Sequence, residues 1–338
     1  MSFPNRAFNP ASVPAPMAKT SSTPAERLRV GVAGVGYLGR IHAKIYAQMP
    51  DVELVGVADV DEAAAREVAA QHGCAAFRDA GDLLGKADAI SVVVPTVYHR
   101  EVAAPFLAAG VHMLMEKPLA PTVAEAQVIV AQAEAAGVIF QVGHLERFNA
   151  GIMALFEHCR NPRFIEAHRL GPFVERATDV DVVTDLMIHD IDIVLSLVNA
   201  PIRSIAASGA KVITDHVDIA NARIEFDNGA VANFTASRVS NKRLRRIRVF
   251  GDRHYYGLNY IDQTLEMTQA VADDAGSKWS KLVTETVSIT PRPPLDTELR
   301  YFVDSVRTGT PPLVTGRVAL EALRVALQVQ ENISRCQN

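Results

Sequence analysis

The stretch RLRVGVAGVGYLGR, residues 27–40, places three glycines, Gly34, Gly36 and Gly39, between an apolar run that reads as a strand, Leu28–Ala33, and a stretch that reads as a helix, Tyr37–Met49. In that setting each glycine has a task. The first permits a tight turn, the second lets the backbone approach a pyrophosphate, and the third allows the helix to lie close to the strand. Amides left unpaired at the helix start, with the aligned peptide dipoles behind them, favour an anion by about 0.3–1 kcal/mol in exposed settings. A second apolar run, Val52–Ala58, ends in Asp59, close to the spacing of about 20 residues that a dinucleotide site requires. A carboxylate there accepts hydrogen bonds from the adenosine ribose and repels a 2′-phosphate, so the pattern points to NAD rather than NADP. The competing reading is that the glycines only shape a turn and that Asp59 caps the following helix.

The rest of the first half agrees with such a turn. Short apolar runs at Ala89–Val94, Val111–Met115 and Val138–Val142 alternate with helix-length, Ala-rich stretches at Glu62–Gln71, His99–Ala109 and Thr122–Ala136, which is how a parallel sheet buried on both faces is written. Gly73, Gly110 and Gly137 follow three of these helices, where a left-handed cap residue belongs. After Arg147 the texture changes. Ala220, Ala222, Ile224 and Phe226 alternate with polar residues up to Asp227-Asn228-Gly229, and a second run follows, which predicts a hairpin. Arg246–Phe250 and Thr284–Ile289 alternate likewise, Asp185–Val198 reads as a covering helix, and residues 315–334 return to helical spacing. The expected fold class is α/β: a doubly wound parallel sheet over 27–147, then an α+β domain over 148–338 with a large, mainly antiparallel sheet, its C-terminal helix free to pack on either domain. Residues 1–26, rich in Pro, Ser, Ala and Thr, are expected to be a disordered tail.

Composition excludes several classes. The 338 residues carry 34 basic and 38 acidic side chains, a net charge of −4, which gives no electrostatic footprint for nucleic acid or an anionic membrane. Three scattered cysteines, Cys74, Cys159 and Cys336, make neither a disulfide framework nor a thiolate metal cage. A small-molecule substrate and a reducing, cytoplasmic setting are therefore expected, with no membrane helix.

Two further clusters carry chemistry. Glu116-Lys117-Pro118 ends the strand expected at Val111–Met115, on the edge where open α/β sheets bind ligands, and Pro118 stops the ladder. Lys117 is either a site residue or a solvated lysine beside a glutamate. In TDLMIHDIDIVLSLV, residues 184–198, Asp185 and His189 stand four apart on the polar face of a helix, able to act on one ligand. A solvent-facing polar stripe and a metal site are the alternatives; no metal is assigned.

The residues GVAGVGYLG, Ala58-Asp59, VPTVYH at 94–99, MEKPLA at 115–120 and D-x-x-x-H at 185–189 have the order and spacing of the glucose-fructose oxidoreductase / inositol dehydrogenase / MocA (Gfo/Idh/MocA) family, which the chain resembles over about residues 28–335. The resemblance implies a Rossmann domain, an open-faced sheet domain that mediates homo-oligomer formation, and hydride exchange between NAD and a sugar or cyclitol carbinol. By position it implies Lys117 as catalytic lysine, Asp185 as substrate-orienting acid and His189 as acid/base histidine. Cofactor contacts are implied for Tyr37 and Leu38 in the glycine turn and for Pro95, Thr96, His99, Glu116, Lys117 and His144. Arg147 and Asn149, in the crossover QVGHLERFNA at 141–150, are implied to reach substrate, although Arg147 could equally pair with an acid.

GHLERFN, DLMIHDIDIVL and TASRVS together most resemble the branch acting on nucleotide-activated amino sugars, particularly UDP-N-acetylglucosamine at C3, with Ala150 departing from that branch's usual proline. A partner aminotransferase would consume the ketone. Arg238 and the basic run Lys242, Arg243, Arg245, Arg246 and Arg248 could meet a diphosphate, or the run is a strand with one basic face. A dehydrogenase of a free sugar or inositol, a redox-neutral NAD-dependent glycosidase and a non-catalytic NAD sensor are the other readings.

Overall fold

The computed structural model describes residues 27–174, 180–272 and 279–337; the expected tail, 1–26, lies outside the described residues. The chain folds into two compact units. One runs to Leu145 and takes Leu295–Glu321 from far along the sequence; the other comprises Glu146–Pro294 and the chain from Ala322 onward.

The first unit is built on six parallel strands, β1 (Leu28–Ala33), β2 (Val52–Ala58), β3 (Ala75–Phe77), β4 (Ala89–Val92), β5 (His112–Glu116) and β6 (Phe140–Gly143), in the order β3-β2-β1-β4-β5-β6. That is the doubly wound order. Helices α1 (Tyr37–Gln48), α2 (Glu62–His72), α3 (His99–Ala108) and α4 (Val123–Ala136) join the strands. Their ends follow local chemistry. Asp61 accepts the Ala63 and Ala64 amides at the start of α2, Thr122 accepts the Glu125 amide at the start of α4, and Gly73 and Gly137 close the same helices with φ of 69° and 64°. Gly110 also has positive φ but lies one residue beyond the cap Ala109. Val30, Val32 and Val57 of the sheet and Ala43 and Tyr46 of α1 are wholly buried, each large apolar group contributing roughly 1.5–3 kcal/mol on burial. The same core includes Leu299, Phe302 and Val303, from a helix far along the chain at Pro294–Thr308.

The second unit begins with α5 (Ala150–His158) and β7 (Phe164–Leu170) and continues through a π-helical turn, Val183–Met187, into α6 (Ile188–Val198). Strands β8 (Ile202–Ala210), β9 (Ile219–Phe226), β10 (Val231–Ser237), β11 (Leu244–Gly251), β12 (His254–Asn259), β13 (Thr264–Val271) and β14 (Lys281–Thr286) follow, and α7 (Pro294–Thr308) and α8 (Gly316–Gln337) close the chain. The eight strands form one sheet, β14-β13-β12-β11-β7-β10-β9-β8, in which only the β7–β10 pair is parallel. The expected hairpin is β9–β10, with Gly229 at φ 81° in its turn.

Alternate residues of the sheet are buried: Ala220, Ala222, Ile224 and Phe226 on β9, Ala232, Phe234 and Ala236 on β10, Ile247 and Val249 on β11. Period-two alternation of this kind covers one face. The Ile333 side chain packs beside Gly209 of β8, and Asn332 donates to the Ile205 carbonyl at 2.8 Å, which ties the second half of α8 to that edge. Strands β7, β8, β12 and β13 do not emerge from the apolar pattern: β8, IRSIAASGA, is short of large side chains, and β7, FIEAHRL, carries a buried arginine at an inward position.

No helix among the described residues is long and apolar enough to cross a membrane.

Candidate active site

In the first unit the glycine turn is held by backbone geometry. Gly34 has φ 88°, and a Cβ there would stand 2.5 Å from the Val93 carbonyl oxygen; one on Gly39 would stand 1.9 Å from the Gly34 oxygen. No L side chain fits either place. A Cβ on Gly36, at the mouth of α1, would meet no protein atom within 4 Å, so the opening faced by the first α1 amides is left clear. The cap residue of α1, Gly36, has no side chain to bond the first turn, and a helix N-terminus of this kind favours an anion.

Asp59 does not cap a helix; Asp61 does. Asp59 Oδ2 accepts the Val35 amide at 2.7 Å and Oδ1 accepts the Asp61 amide at 2.9 Å. Each oxygen of a carboxylate has a second lone pair, so the half-buried group is oriented by the turn and retains acceptor capacity for two ribose hydroxyls. Clear space at Gly36, tight glycine packing and an oriented carboxylate together fit a dinucleotide.

The other expected cofactor residues of this unit lie at the carboxyl ends of neighbouring strands. Pro95 and Thr96 follow β4, Glu116 ends β5 with Lys117 just beyond it, and His144 follows β6. Val93 donates to the Ala33 carbonyl at 2.8 Å, which keeps the loop after β4 against the end of β1. His99 is buried, with Nδ1 3.2 Å from the Leu119 carbonyl and Nε2 3.0 Å from the Val94 carbonyl. Burial lowers its pKa against the pull of those carbonyls, so it links the Thr96 loop to the Lys117 turn as a structural tie. Glu116 is buried, accepts the Lys117 amide at 3.3 Å and lies 3.3 Å from His42 Nε2. Lys117 is half-buried, and the Lys117–Pro118 peptide is cis.

In the second unit the expected plain helix over Asp185–Val198 is corrected. Asp185 lies inside the π-helical turn and His189 is the second residue of α6, so the two are not spaced by an ordinary α-helical turn. Asp181 Oδ1 accepts the Val183 amide at 2.7 Å and the Thr184 amide at 3.1 Å, and the Val182 amide is drawn to the Val217 carbonyl at 3.1 Å. These contacts hold the widened turn, a feature common at functional sites. Both Asp185 and His189 are half-buried.

Three expected substrate residues are engaged by their own unit. Arg147 Nε lies 3.5 Å from Asp192 Oδ2, with its guanidinium over the Phe156 ring. Asn149 caps α5 through the Gly151 amide and donates to the Tyr260 carbonyl at 2.9 Å. Arg238 donates to Asp218 at 2.9 Å and to the Val180 carbonyl at 2.5 Å, so it fixes the entry to the segment that carries Asp185. From Leu244 onward the basic run is strand β11, with Lys242 and Arg243 ahead of it, and the strand's faces alternate: Arg245 lies 3.5 Å from Glu146, whereas Arg246 donates to Tyr255 and Arg248 pairs with Glu166.

Asp218 is wholly buried and accepts five hydrogen bonds, from the Val212, Ile213 and Thr214 amides, the Thr214 hydroxyl and Arg238. Burial alone would raise its pKa, but the Thr214, Ile213 and Val212 amides overcome it and hold the carboxyl well below the usual range. Because that pKa is depressed on folding, the stabilisation is present above the free value of 3.8 and drains away as pH falls below it. Asp218→Asn is expected to lower the unfolding free energy by about 3 kcal/mol at neutral pH, the scale for breaking a buried pair. The gap should narrow in denaturant titrations below about pH 4.

Sequence reasoning did not find the charges buried around α6. Arg169 of β7 binds Asp190 through two nitrogens, each at 2.9 Å, and Glu146 at 2.6 Å, while the Tyr260 hydroxyl donates to Asp190 at 2.9 Å. This cluster grips the residue that follows His189. Its one visible signal is a charge at an inward strand position, after Ile165 and Ala167. Cys74 and Cys159 are free thiols that burial pushes up to about 11 and about 12, which removes both as nucleophiles at neutral pH. Among the described residues no group of three or more His, Cys, Asp or Glu side chains is arranged to hold a metal.

Residues 28–144 match the oxidoreductase family with an NAD-binding Rossmann fold, and residues 151–256 match the GFO/IDH/MocA C-terminal domain. The chain is 36% identical to a UDP-N-acetylglucosamine 3-dehydrogenase of Acidithiobacillus ferrooxidans, over 90% of this chain and 96% of that protein. The chain belongs to the Gfo/Idh/MocA family. As a member of that family it is an NAD-binding oxidoreductase. A solved structure of the Acidithiobacillus ferrooxidans enzyme superposes with a TM-score of 0.85 at 35% identity, covering 91% of this chain and 98% of that one. A myo-inositol 2-dehydrogenase of Thermotoga maritima, another relative, is 26% identical over 90% of this chain and 96% of its own length.

Proposed function

We propose that this Gfo/Idh/MocA protein is a dehydrogenase of a nucleotide-activated amino sugar, oxidising UDP-N-acetylglucosamine at C3. The observation that carries the reading is the 36% identity to an enzyme of that name across nearly the whole of both chains. It is supported by a glycine turn and an oriented Asp59 that fit NAD. Bound NAD supplies the hydride acceptor. The protein's own side chains do the rest: His189 takes the proton of the C3 hydroxyl, Lys117 donates a hydrogen bond to the oxygen as negative charge develops on it, and Asp185 orients the sugar through its hydroxyls. Atoms balance, since the carbinol loses one proton and one hydride to become a ketone.

Arg147, Asn149 and Arg238 act in this scheme by holding the segments around that chemistry. Of the basic run, Lys242 and Arg243 are exposed at the head of β11 and are the cations left to meet a diphosphate. The chain is further read as a cytoplasmic homo-oligomer, assembled through the open face of the large sheet, whose ketone product an aminotransferase would consume.

The test is NADH formation by the purified protein with UDP-N-acetylglucosamine, UDP-glucose, free N-acetylglucosamine and myo-inositol. Turnover with the first, at least about tenfold above the others in kcat/KM, is expected, since a lost buried polar contact costs at least that much. A preference for myo-inositol, the substrate in the name of the Thermotoga maritima relative, would overturn the substrate assignment. Glycoside cleavage without net NADH would overturn the reaction class.

A further inference from the structure

One carboxyl of the NAD-binding unit takes no part in the scheme above. Glu298 lies on the inward face of α7 beside Leu299 and Phe302 and is wholly buried. Its backbone carbonyl accepts the Gln141 side-chain amide at 3.3 Å, which anchors this turn of α7 to β6. Neither oxygen of its carboxyl has a hydrogen-bond partner among the described residues. Burial, and then the charge of Glu116, push that carboxyl well above the usual range. An ion so placed would be desolvated and would face a charge of its own sign.

The neighbours are polar and equally enclosed. His42 of α1 is wholly buried, with Nε2 3.3 Å from Glu116 Oε1, and Glu116 Oε2 accepts the Lys117 amide at 3.3 Å. Gly143, opposite Glu116 in the β5–β6 register, leaves room for that carboxyl: a Cβ there would stand 2.9 Å from its carbon and both oxygens. Tyr46 of α1 and Ser91 of β4 share a hydrogen bond of 2.8 Å, and both carboxyls act on the Tyr46 phenol. The cation on this side of α7, Arg300, is paired with Asp51 and Asp304. Glu116 is therefore the common acceptor of the cluster. Its two oxygens offer about four lone-pair positions; the Lys117 amide fills one, neither His42 ring nitrogen makes a hydrogen bond among the described residues, and acceptor capacity remains for a donor from Glu298.

We propose that Glu298 is a positioning residue: a neutral carboxylic acid that donates its hydroxyl into the Glu116–His42 pair and so fixes the Glu116-Lys117 turn from behind. The kinetic part of this proposal rests on the catalytic reading of Lys117; the protonation part does not. The variants Glu298→Gln, which keeps shape, neutrality and a donor, and Glu298→Leu, which keeps only bulk, separate the two.

Infrared spectra of the wild-type holoenzyme at neutral pH are expected to contain a carboxylic-acid C=O band that Glu298→Gln lacks. With substrate, Glu298→Gln is expected to keep kcat within about threefold of wild type. Glu298→Leu is expected to lose about tenfold or more in kcat at unchanged KM, the pattern of a group that acts on the reacting state. A raised carboxyl pKa confers stability that is complete below the free value of 4.5 and declines as pH climbs toward the folded-state value. The melting temperature of Glu298→Gln should therefore gain on wild type from pH 5 to pH 9. Absence of the band difference, or a Glu298→Gln variant as slow as Glu298→Leu, overturns the proposal. If UDP-N-acetylglucosamine is not the substrate, the band and the pH dependence of melting still decide it.

Discussion

Lys117→Ala and His189→Ala are each expected to lower kcat with UDP-N-acetylglucosamine by at least about 100-fold, the lower end of what a positioned proton-transfer group contributes. In the proposed oxidation, transfer of the hydroxyl proton to His189 builds negative charge on the substrate oxygen before hydride departure consumes it, so a hydrogen bond from Lys117 acts on the reacting state more than on the bound alcohol. Loss of the imidazole removes the acceptor for the hydroxyl proton. Neither residue belongs to the glycine turn, and the turn and Asp59 are the groups proposed to hold the dinucleotide. NAD affinity, read by fluorescence titration, should stay within a few-fold of wild type. Lys117→Arg should rescue little, because a planar guanidinium differs in reach and donor geometry from an ammonium. Near-normal turnover in either alanine variant would remove that residue from the chemistry, while a large loss of NAD affinity with Lys117→Ala would recast it as a cofactor ligand.

Asp59→Ala is expected to weaken NAD binding by about 10- to 100-fold, because hydrogen bonds to a charged acceptor are worth roughly 1.5–3 kcal/mol each. Two effects combine. The ribose loses its acceptor, and the Val35 and Asp61 amides lose the oxygens at 2.7 and 2.9 Å that shape the turn. Selectivity should fall further than affinity. With the carboxylate gone, the repulsion against a 2′-phosphate disappears, and the ratio of NAD to NADP affinity should move toward unity. Asp59→Asn separates the effects, since it keeps an acceptor for one amide and loses the charge. Unchanged cofactor preference in both variants would contradict the ribose assignment.

The parallel sheet was legible because its strands are buried on both faces and its helices carry their own stop signals. The runs from Leu28 and Val52 end at Ala33 and Ala58 as the pattern requires, and Gly73 and Gly137 close α2 and α4. β3 escaped notice because its three residues, Ala75–Phe77, are too short to show a period. In the large sheet, β9 and β10 announced themselves through clean alternation about Gly229. β7 did not, because Arg169 occupies an inward position that a one-sided sheet normally gives to an apolar side chain.

The candidate site divides in the same way. Gly34 and Gly39 were readable because close backbone approach dictates their residue type, and Gly36 and Asp59 because of their spacing from those two. An acid partner for Arg147 was one reading of the sequence, though not that it is Asp192; the engagements of Asn149 and Arg238 were not readable, because their partners Tyr260 and Asp218 lie 111 and 20 residues away along the chain. The widening of the turn at Asp185 was equally hidden: it depends on Asp181 and Val217 rather than on helical propensity.

That Leu299, Phe302 and Val303 complete a core begun by Val30 and Tyr46 has a consequence for how the protein is made. A ribosome releases the six parallel strands long before it decodes the helix that covers them, so the nascent nucleotide-binding half must wait, partly uncovered, while about 150 further residues are synthesised at roughly 5–20 per second. Cells that make this protein need either chaperone cover over that interval or a nascent chain tolerant of it, and a gene cut after the sixth strand would yield an aggregating fragment rather than a miniature NAD-binding protein.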